Sequence, residues 1–113
     1  MELEEGIKTK IQEQIQSKDV FLFMKGNPDF PMCGFSSTAS AILKKCGVEF
    51  GHCNVLDDNN IREGIKAFSD WPTIPQLYVK KEFVGGCDIM KEMAESGELV
   101  ELLNTRGIKT ELS

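Results

Sequence analysis

The sequence contains no Cys-x-x-Cys pair and only one histidine, His52, although it holds four cysteines, Cys33, Cys46, Cys53 and Cys87. Zinc sites need closely spaced cysteine and histidine ligands, so this spacing is a poor match for one. The opening residues are acidic rather than basic or apolar: Glu2, Glu4 and Glu5 argue against a signal or transit peptide. With no secretion signal read here to support it, the even cysteine count is not expected to mean two disulfides. The expectation is reduced thiols in a cytosol-like compartment, with an organellar matrix left open. No apolar run exceeds five residues, far below the roughly 20 that span a membrane. Basic residues are in deficit, 13 against 18 acidic ones for a net charge of −5, which excludes a general nucleic-acid role. There is no internal repeat and no low-complexity tract. What is present suits a globular chain: 113 residues, 41% apolar and 27% charged, suffice for one domain around one core. Residues 1–113 are therefore read as one domain, with 106–113 as a flexible tail.

Leu3, Ile7, Ile11 and Ile15 recur every four residues among polar ones, which predicts an amphipathic first helix. Val20-Phe21-Leu22-Phe23-Met24 reads as a buried strand. A loop follows, rich in turn formers from Gly26 to Met32, and then a helix from Ser37 to Cys46, stopped by Gly47. Glu49 to Val55 can form a second strand. Asp57-Asp58-Asn59-Asn60 is a cap-rich opening to a third helix with Ile61, Ile65 and Phe68 on one face. Gln76–Val79 and Glu82–Val84 read as a hairpin turning at Lys80-Lys81, and two more helices follow, broken at Gly97. The order α-β-α-β-α-β-β-α-α, with a right-handed parallel first crossover, predicts an α/β fold. A four-stranded mixed sheet flanked by helices on both faces satisfies it, and that arrangement resembles the thioredoxin-like fold.

Eight residues separate Cys33 from the first strand, and it lies close to the start of the next helix. Unpaired N–H groups and the helix dipole stabilise a thiolate there, and Lys25 adds a cation. Two-thiol redox proteins carry a second cysteine three residues on; here that place holds Ser36, so no local disulfide can form. Cys33 must borrow a thiol from elsewhere or serve another purpose, such as holding a metal centre. Cys46 and Cys53 are expected in the core, and His52 in a strand without catalytic duty. Cys87 sits beside Gly85 and Gly86 at a strand-to-helix turn. Two readings stand for it, a backbone ligand contact or a slow second thiol. Asp88 follows at the helix start, where an acid beside free N–H groups suits a zwitterion such as the amino-acid end of a γ-glutamyl group. Lys25 and Arg62 are candidates for the other end of that ligand, each otherwise a solvated surface charge. Lys66 lies one turn after Arg62 with a weaker claim. Pro75, directly before a strand, is consistent with a cis bond, which would leave the backbone of Ile74 free to pair with an extended peptide. Trp71 reads equally as packing or as part of the site.

Taken together, Met24-Lys25-Gly26, Pro31-Met32-Cys33-Gly34-Phe35-Ser36, Ile61-Arg62, Trp71-Pro72-Thr73-Ile74-Pro75-Gln76-Leu77 and Gly85-Gly86-Cys87-Asp88-Ile89 closely resemble the monothiol glutaredoxins with a Cys-Gly-Phe-Ser active site. The resemblance implies glutathione as ligand. Lys25 and Arg62 would hold its glycyl carboxylate, Ile74 its cysteinyl backbone, and Cys87 (through its backbone) with Asp88 its γ-glutamyl end. It also implies a [2Fe–2S] cluster bridging a homodimer, with one Cys33 thiolate from each protomer and two glutathione thiolates. BolA-type proteins and apo iron–sulfur proteins are the partners it implies, with no nucleic acid and no membrane.

Two functions follow as expectations. The first is an iron–sulfur carrier in cluster assembly, storage or transfer. The alternative is a glutathione-dependent thiol–disulfide oxidoreductase that removes glutathione from mixed disulfides through Cys33 alone, since a one-thiol route needs only a second glutathione.

Overall fold

The structure, a computed structural model, describes residues 3–111. Its elements are α1 (Glu5–Ser17), β1 (Val20–Met24), α2 (Gly34–Cys46), β2 (Gly51–Asn54), α3 (Asn59–Ser69), β3 (Gln76–Val79), β4 (Glu82–Gly85), α4 (Cys87–Ser96) and α5 (Glu98–Thr105), with a single 3-10 turn at Val55–Asp57. The four strands lie in the order β2-β1-β3-β4. β1 pairs parallel with β2 and antiparallel with β3, and β3 pairs antiparallel with β4. This is the thioredoxin-like mixed sheet expected from the element order.

A continuous apolar run marks a strand covered on both faces, and β1 is buried at every residue. Side chains alternate across a strand, so β1 feeds two cores. Val20, Leu22 and Met24 pack with Ala39 and Leu43 of α2, Met90 of α4 and Leu99 and Leu103 of α5. Phe21 and Phe23 pack with Ile11 and Ile15 of α1, Ile61 and Ile65 of α3, and Tyr78.

Register explains where a site can form. β1 ends at Met24, β3 begins at Gln76 opposite Phe23, and β4 ends at Gly85 opposite Leu77. The segments after β1, before β3 and after β4 therefore leave the sheet at the same end. Loops 25–33, 70–75 and 86–88 converge there.

Three sequence expectations change. α2 begins at Gly34 rather than Ser37, because Cys33 itself is the N-cap, with extended φ −159° and ψ 146°, and its carbonyl accepts from Ser37 N at 2.9 Å. β2 is shorter than Glu49–Val55. Asn54 Oδ1 accepts from Leu56 N at 3.0 Å, which turns the chain into the 3-10 turn. The expected flexible tail is instead packed through Glu111. Ile108 is 8% exposed and joins the core on the α2 side, with its N–H on Leu103 O. Thr110 is buried, and Glu111 N donates to Cys46 O at 3.1 Å. Leu112 and Ser113 lie outside the described residues. Residues 106–111 stay down because Ile108, the one large apolar side chain among them, joins the core beside α5. Ile108→Ala should thus lower stability by about 2 kcal/mol, a core-sized penalty rather than a tail-sized one. An unchanged urea midpoint would show that the segment contributes nothing to the core.

Candidate functional site

Cys33 is half-buried at the N-terminus of α2. Burial pushes its thiol up. The backbone N–H and hydroxyl of Ser36, the N–H of Phe35 and the Lys25 ammonium pull it down, and the net value lies below that of an ordinary thiol. The geometry stops short of a full capping hydrogen bond to sulfur, so these groups act as fixed dipoles and charge. Ser36 is fully buried, and its hydroxyl oxygen accepts from Lys25 N at 3.0 Å. That bond engages one lone pair of the oxygen and leaves the hydroxyl proton uncommitted to Lys25. Sequence reading saw Ser36 only as the absence of a resolving thiol. Its structural part is to tie the end of β1 to the first turn of α2 beside Cys33.

The loop between them is pinned. Gly26 N donates to Asn54 Oδ1 at 2.9 Å, and Met32 N donates to Lys25 O at 2.9 Å. Asn27 Oδ1 accepts from the N–H groups of Asp29 and Phe30, and Lys44 Nζ holds Pro28 O at 2.7 Å. Phe30, Met32 and Phe35 stand 74%, 67% and 64% exposed around Cys33, a cluster of large apolar side chains with no cover from this chain.

Beside Cys33 lies a cavity of about 350 Å³. Lys25, Ile74, Cys87 and Asp88 line it together with Phe35, Lys66, Trp71–Pro75, Gly86 and Ile89. Four of the residues expected to hold the ligand, Lys25, Ile74, Cys87 and Asp88, thus meet there. Cys33 is not in the lining itself but acts electrostatically with Lys25 and Cys87, which are. Arg62 does not line the cavity. It stands one turn before Lys66 on α3, half-buried, with a buried Nε that has no hydrogen-bond partner among the described residues. Lys66, given less weight from sequence, is the α3 cation that reaches the cavity, and it pairs with Glu63 at 3.2 Å. The Ile74–Pro75 peptide bond is cis.

The other thiols differ from Cys33. Burial pushes Cys87 up, with Asp88 and Cys33 adding to the rise against Lys91. Burial likewise raises Cys46, and raises Cys53 against a hydrogen bond from Gln14. Cys46 is core, as expected; Cys53 is only half-buried but packs against the α1–α3 side core. His52 is exposed on β2. A pH series of iodoacetamide labelling should therefore resolve one thiol, Cys33, titrating below the ordinary range and three above it. Thiolate is the reactive form, so lowering pH through the Cys33 midpoint should switch its labelling off. Ser36→Ala should move that midpoint upward. A Cys33 profile coincident with that of Cys87 would contradict the assigned electrostatics.

Among the described residues, no group of three or more histidine, cysteine or acidic side chains is placed to hold a metal ion. One chain offers a single activated thiolate and a cavity lined by two cations, Lys25 and Lys66, and by a helix N-terminus carrying an acid, Asp88. The family model for glutaredoxin matches residues 20–84. This chain belongs to the glutaredoxin family. The match includes the Cys33 loop, and this glutaredoxin is of the monothiol kind by its relatives. It is 55% identical over 106 residues to "Monothiol glutaredoxin-5, mitochondrial" of Saccharomyces cerevisiae, covering 91% of this chain and 71% of that one. It is 57% identical over 93 residues to "Probable monothiol glutaredoxin 2" of Rickettsia typhi, covering 82% and 84%. Among solved structures, a monomeric truncated mutant of Trypanosoma brucei 1-C-Grx1 superposes with a TM-score of 0.84 at 43% identity, covering 92% of this glutaredoxin and 94% of that chain. No helix among its described residues is long and apolar enough to cross a membrane.

Proposed function

We propose that this glutaredoxin binds glutathione in the cavity beside Cys33 and carries a [2Fe–2S] cluster between two protomers, for assembly, storage or transfer to apo iron–sulfur proteins. The observation that carries the reading is the placement of one depressed thiol beside a cavity with opposite charges on its walls. Glutathione is complementary to it. Lys25 and Lys66 suit the glycyl carboxylate, and the Arg62 guanidinium, one turn before Lys66 on α3, adds positive charge behind them. The backbone of Ile74 suits the cysteinyl part. Also in the lining, the N-terminus of α4 at Cys87 suits the γ-glutamyl carboxylate, and the Asp88 carboxylate suits its ammonium.

The donor set fits the cluster. Iron–sulfur centres take thiolates, and Cys33 is the one thiol here whose surroundings favour that form. Because one chain supplies one such ligand, the rest come from glutathione and from a second copy. The exposed ring of Phe30, Met32 and Phe35 is the apolar surface a second protomer or a BolA-type protein would cover. Bound there, the cluster supplies transferable iron and sulfide, held partly by a ligand that can dissociate. The working compartment is a reducing one, cytoplasm or organellar matrix.

A second reading rests on the same low thiol. The Cys33 thiolate attacks the glutathionyl sulfur of a mixed disulfide, the client thiolate leaves, and a second glutathione thiolate resolves the Cys33 adduct as glutathione disulfide. Anaerobic reconstitution with iron, sulfide and glutathione separates the two. A coloured dimer that reverts to colourless monomer when glutathione is removed establishes the carrier. A colourless monomer that turns over glutathione mixed disulfides gives the oxidoreductase.

A further inference from the structure

The wall of the cavity formed by residues 71–75 has no regular secondary structure, yet one buried side chain holds it. Gln76 is fully buried at the start of β3. Its Nε2 donates to Trp71 O at 3.1 Å and to Thr73 O at 3.2 Å. Two carbonyls converge on one end of the amide, so that end must be the NH2 group. The other end, Oε1, accepts from the Tyr78 hydroxyl at 3.3 Å. Tyr78 is itself fixed in a nest of rings, with centroids 5.7 Å from Phe23, 6.2 Å from Phe68 and 5.5 Å from Phe83. The loop also closes on the opposite wall. A Cβ placed on Gly86 would sit 3.1 Å from Trp71 Nε1 and 3.3 Å from Pro75 O, so the indole edge rests directly over the backbone that leads into Cys87. The Trp71 ring is backed by Phe83 at 5.7 Å.

We propose that Gln76 is a positioning residue for the ligand cavity: its amide latches the Trp71–Thr73 carbonyls, and so sets Ile74 and the indole of Trp71 at the spacing the ligand needs from Gly86 and Cys87. Gln76 touches no ligand; it acts through the loop. The physical reason for a polar group here is directional. An apolar side chain in the same space would fill volume but leave two inward carbonyls unpaired and the loop free to relax outward. The inference rests on the glutathione reading for its ligand, but not for the latch itself.

Trp71 is the only tryptophan in the chain, so its emission reports the loop without labelling. Three proteins are compared: wild type, Gln76→Leu, which removes both latch bonds, and Tyr78→Phe, which leaves both in place while disturbing the same core. The probe is S-methylglutathione, a thioether that cannot exchange with Cys33. For Gln76→Leu, acrylamide quenching of Trp71 should rise and the Kd for S-methylglutathione should weaken by about tenfold. For Tyr78→Phe both should stay within about twofold of wild type, even though its urea midpoint falls. Should Gln76→Leu fail to fold, Gln76→Glu takes its place: its buried carboxylate repels the same carbonyls at neutral pH, and protonation at lower pH should restore low quenching. Wild-type quenching in a folded Gln76 variant overturns the latch, and so does equal loss of affinity in the Gln76 and Tyr78 variants. No binding to wild type, with quenching still raised only in the Gln76 variant, overturns the glutathione reading and leaves the latch standing.

Discussion

Cys33→Ser should abolish cluster reconstitution and mixed-disulfide turnover while leaving the fold as stable as before. The two halves of this result have separate causes. A serine hydroxyl does not ionise near neutral pH and is a hard ligand, so it replaces neither the soft thiolate for iron nor the nucleophile for exchange. Yet Cys33 is the N-cap of α2, and serine is among the preferred N-caps because its oxygen can accept from the N–H groups of the first turn. The present cap makes no such side-chain bond. The urea midpoint should therefore hold or rise, by up to about 1 kcal/mol of stability. Cys87→Ser is the companion experiment. Its thiol is buried and raised, which disfavours the thiolate, and a ligand contact through its backbone survives the change. Cluster content in Cys87→Ser should stay near wild type. A coloured dimer from Cys33→Ser, or a colourless product from Cys87→Ser, would exchange the roles assigned to the two residues.

Gly26→Ala should be the most damaging single methyl in the chain outside the core. Gly26 has φ +86°, and a Cβ there would lie 2.4 Å from Phe30 O and 2.6 Å from Met32 N, both backbone atoms that cannot swing aside. The left-handed conformation alone costs about 1–2 kcal/mol for a residue with a Cβ. With the loop forced apart as well, the loss should reach about 3 kcal/mol or more. The damage is also functional. The Met32 N–H on Lys25 O and the Gly26 N–H on Asn54 Oδ1 set where Cys33 arrives relative to Lys25. Opening the loop should let the Cys33 labelling midpoint drift back toward that of an ordinary thiol. Gly34→Ala is the control. Beyond its chain neighbours and its own helix backbone nothing lies within 4 Å of its Cβ position, and alanine is the better helix former, so the fold should keep or gain stability. If Gly26→Ala matches Gly34→Ala in urea melts and in labelling, the loop is not held as described.

Much of this was legible in the residues themselves. Val20–Met24 announced a doubly covered strand because a run without alternation can only be buried on both sides. Gln76–Val79 appeared at its observed bounds because prolines before it and lysines after it punctuate the strand. Cys33 stood out because a lone cysteine between a strand and a helix has an obvious electrostatic advantage, and the spacing of five short motifs carried the family. These properties are local, written in neighbours along the chain. Only the tertiary structure decided the rest. It showed that Lys66 reaches the cavity where Arg62 does not, because side-chain reach depends on how α3 is rotated against the sheet. It showed residues 106–111 packed down, because Ile108 enters a core that the neighbouring α5 shares with the distant α2, and Glu111 bonds to the end of α2. It gave Ser36, Asn54 and Gln76 their parts as ties, because a buried polar side chain has meaning only through partners that folding brings to it. A sequence can announce which residues have unusual chemistry; which of them face one another is settled by the strand register that gathers three loops at one end of the sheet.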